Sequence, residues 1–237
     1  MSGASASPAR PDVVPVLTID GPSGSGKGTV CRAAAQALGW ALLDSGALYR
    51  LVALAARQRG IALDDAPALG RLAEGLDIRF GSDAAGEELV WLDGRDVTRA
   101  IRTETAGNDA SKVAALPAVR TALLGRQRRF VAPPGLVADG RDMGTVVFPD
   151  AAVKIFLTAS ADERAGRRYK QLKEKGVAAT LAALSREIAE RDQRDISRTA
   201  SPLVASDDAV LLDTTGITVD AVVRRVLEIV RERLSPG

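Results

Sequence analysis

The chain has 237 residues, a mass of 24.8 kDa and a formal charge of +2, with 46% hydrophobic and 26% charged residues, ordinary values for a globular protein large enough to bury its own core. It holds no histidine and a single cysteine, Cys31, which excludes histidine general bases, Ser-His triads, histidine-ligated transition metals and an intramolecular disulfide. A pI near 8.9 with so small a charge is too mild for a nucleic-acid binder argued on charge, and 3% aromatic residues leave little for base stacking.

The opening MSGASASPARPDVVP lacks the basic region and apolar stretch of a signal peptide, so 1–13 reads as a disordered tail. No segment reaches the ~18 apolar residues of a membrane span, and a cytoplasmic location with no membrane partner is expected. Five apolar runs, Val16–Asp20, Ala41–Asp44, 136–139, Val153–Thr158 and Val210–Asp213, each end in a polar or glycine-rich turn. Unbroken runs of this kind suit strands buried on both faces of a parallel sheet. Helical segments are expected between them, over 27–38, 46–59, 117–131, 160–175 and 219–234. In the last, Val222, Val226, Val230 and Leu234 repeat every fourth position, beside Val223 and Leu227, which makes one apolar face. Strand and helix alternate as in an α/β doubly wound fold.

Two regions depart from that alternation. Residues 76–98 carry LDIRF and EELVWLDGRDV; their patterning and the Asp93-Gly94 hairpin signal predict a small antiparallel meander inserted in the core. Residues 164–198 hold ten basic and five acidic residues, a local charge of +5.

The sharpest motif is GPSGSGKGT, residues 21–29, between the first strand and the first helix. Glycines let backbone N–H groups fold around an anion, and the following helix adds partial positive charge. That is the context of a P-loop, in which Lys27 reaches the β- and γ-phosphates. Gly28 fills the usual Ser/Thr slot, so the hydroxyl for Mg²⁺ falls to Thr29. Arginine supplies 26 of the 32 basic residues, and its fixed, bidentate fork suits phosphate. No guanine-reading NKxD is present. The acidic strand ends LLDSGALYR and LVADGRDMGTVVFPDA lie where ligands bind in open α/β sheets.

Taken in order, GPSGSGKGT, LLDSGALYR, ADGRDMGTVVFPDA and ERDQRDISRTASPL resemble the bacterial cytidylate kinases over about 16–234. The resemblance implies a P-loop kinase fold with a five-stranded parallel sheet flanked by helices, a small antiparallel β insertion and a helical lid. The kinase domain would run over 14–237, with the NMP-binding region at about 45–107 and the lid at about 164–198. It implies transfer of the γ-phosphoryl group of MgATP to CMP or dCMP, with ATP held by Gly21, Pro22, Ser23, Gly24, Ser25, Gly26, Lys27, Gly28 and Thr29. Ser45, Arg50 and Arg141 would grip the acceptor phosphate; Ser111, Arg120 and Asp142 would read the base; Asp195 and Arg198 would meet the ribose and the acceptor. Lys27, Arg191 and Arg194 would serve the transferring group, and Thr29 and Asp139 the Mg²⁺, Asp139 through water. Two other readings stay open on the residues: a thymidylate- or shikimate-type P-loop kinase, and a nucleotide-dependent switch. A monomer is the default. Cys31, Trp40, Phe80 and Trp91 read as packing residues.

Overall fold

The computed structural model describes residues 14–83, 88–174 and 178–234. The expected tail at 1–13 and Lys175 lie outside them. Every apolar run forms a strand: β1 Val16–Asp20, β2 Ala41–Asp44, β6 Leu136–Gly140, β7 Val153–Thr158 and β8 Val210–Asp213. They join in one parallel sheet in the order β2-β6-β1-β7-β8. The meander is also present, with β3 Ile78–Ser82, β4 Glu88–Leu92 and β5 Arg95–Asp96 paired antiparallel. Asp93 and Gly94 have φ of 49° and 76°, the left-handed pair that a two-residue type I′ hairpin requires.

The expected helices appear as α1 Lys27–Leu38, α2 Ser45–Gln58, α5 Pro117–Arg128, α6 Ala161–Glu174 and α8 Val219–Leu234. Among the described residues, three more α-helices complete the fold: α3 Ala66–Gly75 and α4 Glu104–Val113, where no helical periodicity is read, and α7 Leu181–Ser197, which lies in the stretch expected as a helical lid. Local start signals mark them: Asp65, Thr103 and Thr180 each accept a backbone N–H from the first turn, the usual N-cap chemistry. Among the described residues, no helix is long and apolar enough to cross a membrane.

Alternation along the central strands feeds two cores. Leu136 and Ala138 face a cluster with Leu48, Leu51, Leu69 and Leu123, whereas Leu17, Ile19, Val137 and Ile155 face one with Val30, Val226 and Ile229. Helices α1 and α8 therefore cover one face of the sheet, and α2 with its neighbours the other. Cys31 is fully buried in the second core, and burial pushes its thiol well above the ordinary value. Phe80 packs edge-on against Phe130 at 5.8 Å.

The topology decides where chemistry can happen. Strands β1, β2 and β6 are parallel neighbours, so the P-loop, the start of α2 and the segment after β6 emerge from the same edge of the sheet. That edge is the carboxyl end, where open α/β sheets bind ligands.

Candidate active site

A cavity of about 750 Å³ opens at this edge, lined by the loop from Ser23 to Thr29 and by residues of α2, α4, β6, α6 and α7. Within the loop, Gly21, Gly24 and Gly26 have φ of +147°, +78° and +90°, which only glycine adopts readily. Gly21 is also pressed against β7: a β-carbon there would lie 1.9 Å from the Leu157 carbonyl oxygen. Gly21 and Pro22 are not among the residues lining the cavity, so they shape the loop from behind.

Lys27 is buried, and its Nζ donates to the Pro22 carbonyl at 2.8 Å. Burial, and then the charge of Arg141, lower its pKa. Asp139 stands close by, its Oδ2 at 3.4 Å from where a Gly28 β-carbon would lie. Burial raises its carboxyl, with Lys27 opposing. Thr29 is exposed in the cavity and Ser25 Oγ is buried without a hydrogen-bond partner among the described residues. Hard oxygens of this kind suit Mg²⁺ completed by phosphate oxygens. Among the described residues, no group of three or more carboxylates or thiols is gathered for a metal.

The wall opposite the loop is a cluster of guanidinium groups. Ser45 is the first residue of α2, whose N-cap Asp44 accepts the Ala47 N–H at 3.0 Å. Arg50 follows on that helix and lines the cavity, as does Arg141 just past β6. Arg141 Nε donates to Asp195 Oδ2 at 2.8 Å. Although burial opposes both charges, this pairing raises the pKa of Arg141 and lowers that of Asp195. Arg191 is different: burial first, then Arg141 and, less, Arg50 and Arg194, push it down to about 10, Asp195 opposing. Its Nε is buried without a hydrogen-bond partner among the described residues. Arg168 is likewise lowered by burial and by Arg50. Guanidinium groups that repel one another across a cavity favour an anionic ligand between them, although Arg141 and Arg168 each also have a carboxylate partner, Asp195 and Glu104.

Beside this cluster, Arg120 and Asp142 form a buried ion pair. Arg120 also donates to the Ala114 carbonyl at 3.1 Å and to Ser201 Oγ at 3.2 Å, and its guanidinium lies 5.7 Å from the centre of the Tyr49 ring. Both partners thus have fixed geometry. Ser111 lines the cavity next to them and accepts from Arg194 Nε at 3.2 Å. Arg198 donates to the Ser201 carbonyl and lies 3.9 Å from Asp195 Oδ1. Arg191, Asp195 and Arg198 line the cavity, whereas Arg194 does not and turns to Ser111.

Other participants carried no distinct motif. Arg164 donates to the Ser23 carbonyl at 3.1 Å and pairs with Asp192 at 2.7 Å. Arg167 donates to the Ser25 carbonyl at 3.2 Å and to the Thr214 carbonyl at 2.6 Å. These two side chains brace the loop from α6, yet in sequence they were only part of a charge-dense stretch. Tyr49 sat unmarked within LLDSGALYR.

Comparison with known proteins finds relatives that match nearly the whole chain. A family model described as cytidylate kinase matches residues 17–232. The chain is 60% identical over 221 residues to the cytidylate kinase of Stutzerimonas stutzeri (strain A1501), across 93% of this chain and 96% of that protein. It is 56% identical over 224 residues to that of Aeromonas salmonicida (strain A449), across 94% and 97%. It is 57% identical over 220 residues to that of Methylococcus capsulatus (strain ATCC 33009 / NCIMB 11132 / Bath), across 93% and 98%.

Proposed function

The chain belongs to the cytidylate kinase family, and from that premise we propose how its residues divide the work. The enzyme transfers the γ-phosphoryl group of ATP to CMP or dCMP, giving ADP and CDP or dCDP. The acceptor is a phosphate already ionised near neutral pH, so no general base is required and the absence of histidine carries no penalty. The difficulty is repulsion between two polyanions that must be held in line.

The loop from Ser23 to Thr29 and Lys27 hold the donor phosphates. Gly21 and Pro22 give that loop its shape. Ser45, Arg50 and Arg141 grip the phosphate of the acceptor, and Arg191 faces the group in transit, with Arg194 steadying Ser111 beside it. Thr29 and Asp139 would be the protein oxygens for Mg²⁺, Asp139 through water, most of the coordination coming from ATP; the ion would supply screening of phosphate charge during transfer. The NMP-binding arm spans about 45–107 and the lid about 164–198, so closing of α6 and α7 shields the reaction from water.

Asp142 accepts the N4 amino group of cytosine, while Arg120 and Ser111 serve O2 and N3. Uracil would turn an O4 acceptor toward the same carboxylate. Asp195 and Arg198 meet the ribose. A cytoplasmic location and a monomeric working state, the latter open to gel filtration, complete this reading.

One observation carries it: the P-loop, a cluster of guanidinium groups that repel one another around Arg191, and the fixed Arg120–Asp142 pair open into a single cavity. ADP release measured across CMP, dCMP, UMP, AMP, dTMP and shikimate tests it. CMP and dCMP should stimulate turnover most. Turnover led by another acceptor, or nucleotide binding without acceptor-stimulated turnover, would overturn the reading.

A further inference from the structure

Asp20 ends β1, one residue before the glycine loop, and is 5% exposed. Its two oxygens are both spent on the backbone of a distant segment. Oδ1 accepts the Met143 N–H at 2.9 Å and Oδ2 accepts the Gly144 N–H at 2.8 Å. These amides open a π-helical turn, Met143–Val147, that begins directly after Arg141 and Asp142. Within the turn the Asp142 carbonyl accepts from Val146 at 2.9 Å and Val147 at 3.1 Å. Such turns are rare and interrupt regular backbone where a side chain must be aimed.

The same segment is pressed onto β1. A β-carbon at Gly144 would lie 2.9 Å from Thr18 Oγ1, 3.2 Å from Lys154 Cδ and 3.4 Å from Asp20 Oδ2. Burial pushes the Asp20 carboxyl up to about 6 even though both amides oppose the shift. A buried carboxylate divided between two neighbouring amides costs solvation and gives in return a fixed distance between two chain segments.

We infer that Asp20 is a positioning residue for acceptor choice: it clamps the segment carrying Arg141 and Asp142 to the strand that carries the P-loop, and so sets the base-reading carboxylate against the donor site. Asp20 acts through Asp142 and Arg141, with no contact to substrate. The inference rests on the assignment of base reading to Asp142 given above.

The test uses Asp20→Asn and, independently, Gly144→Ala, each assayed with CMP, UMP and ATP at a temperature below its own Tm. Asp20→Asn keeps the shape but turns an amide NH₂ toward one of the two N–H groups. Gly144→Ala leaves Asp20 in place and lifts the same turn. Both should raise KM for CMP and lower the CMP:UMP ratio of kcat/KM by about tenfold, with KM for ATP within about twofold of wild type, since small misplacements of a reader act on the group it reads. A purely structural role would lower Tm and leave the ratio unchanged. A folded variant with wild-type discrimination, or one that loses ATP affinity while reading CMP normally, overturns the inference. Should Asp20→Asn fail to fold, Gly144→Ala decides alone. Wild-type enzyme that does not favour CMP would instead overturn the assignment of Asp142, a separate result.

Discussion

Arg141 and Asp195 meet across the cleft, Nε to Oδ2 at 2.8 Å, although they are 54 positions apart in the chain. One sits at the end of a core strand and the other on helix α7, so a single ion pair joins the sheet edge to the expected lid. The pair also spares Arg141 from facing the other guanidinium groups unaccompanied.

Loss of that pair should show in the pH dependence of stability. Asp195 has a folded pKa below its ordinary value of 3.8, burial being outweighed by Arg141. A depressed carboxyl stabilises above its unfolded pKa, and the contribution fades as pH falls through the folded pKa. The Tm difference between wild type and Asp195→Asn should therefore be full at pH 6 and shrink once pH drops below the unfolded value. Thermal melts from pH 7 to pH 2.5 check this; a gap that is constant or widens in acid contradicts the pairing.

Asp142→Asn should narrow the preference for CMP over UMP. The amide can donate to the O4 of uracil while losing charge toward the N4 amino group. The ratio of kcat/KM values should fall by roughly tenfold or more, a change of about 1.4 kcal/mol or more in discrimination. An unchanged ratio would remove Asp142 from base reading.

Arg191→Ala should lower kcat by about 10³-fold or more, as arginines that face a transferring phosphoryl group do. KM for CMP should move much less. Arg191→Lys should restore little, because a point charge cannot reproduce the planar fork. Steady-state ADP release separates the two parameters, and a variant impaired in KM alone would place Arg191 in ground-state binding.

Gly21→Ala should destabilise the fold, because φ at +147° and a β-carbon 1.9 Å from the Leu157 carbonyl oxygen leave the backbone to move. A loss of about 3 kcal/mol or more is expected, at the upper end for a backbone substitution. Urea unfolding measures it; a midpoint equal to wild type would mean that the loop can relax away from β7.

The sequence by itself determined the strands, the inserted meander and the phosphate loop, because each rests on neighbours in the chain. Apolar runs, the Asp93-Gly94 turn and the glycine spacing are local signals. Helices α3 and α4 were less legible, since their evidence lies in single capping residues and in faces defined by partners far away. Resemblance named the side chains assigned to the substrates and the metal, yet only the tertiary structure decided how they stand. Strand order brought the ends of β1, β2 and β6 to one edge, turned Arg194 onto Ser111, and set Arg164 and Arg167 behind the loop. It also seated Asp20 on two amides more than 120 positions away. Side chains that meet through space leave no spacing to read, because the distance between them is fixed by the packing of whole elements and not by the chain that links them.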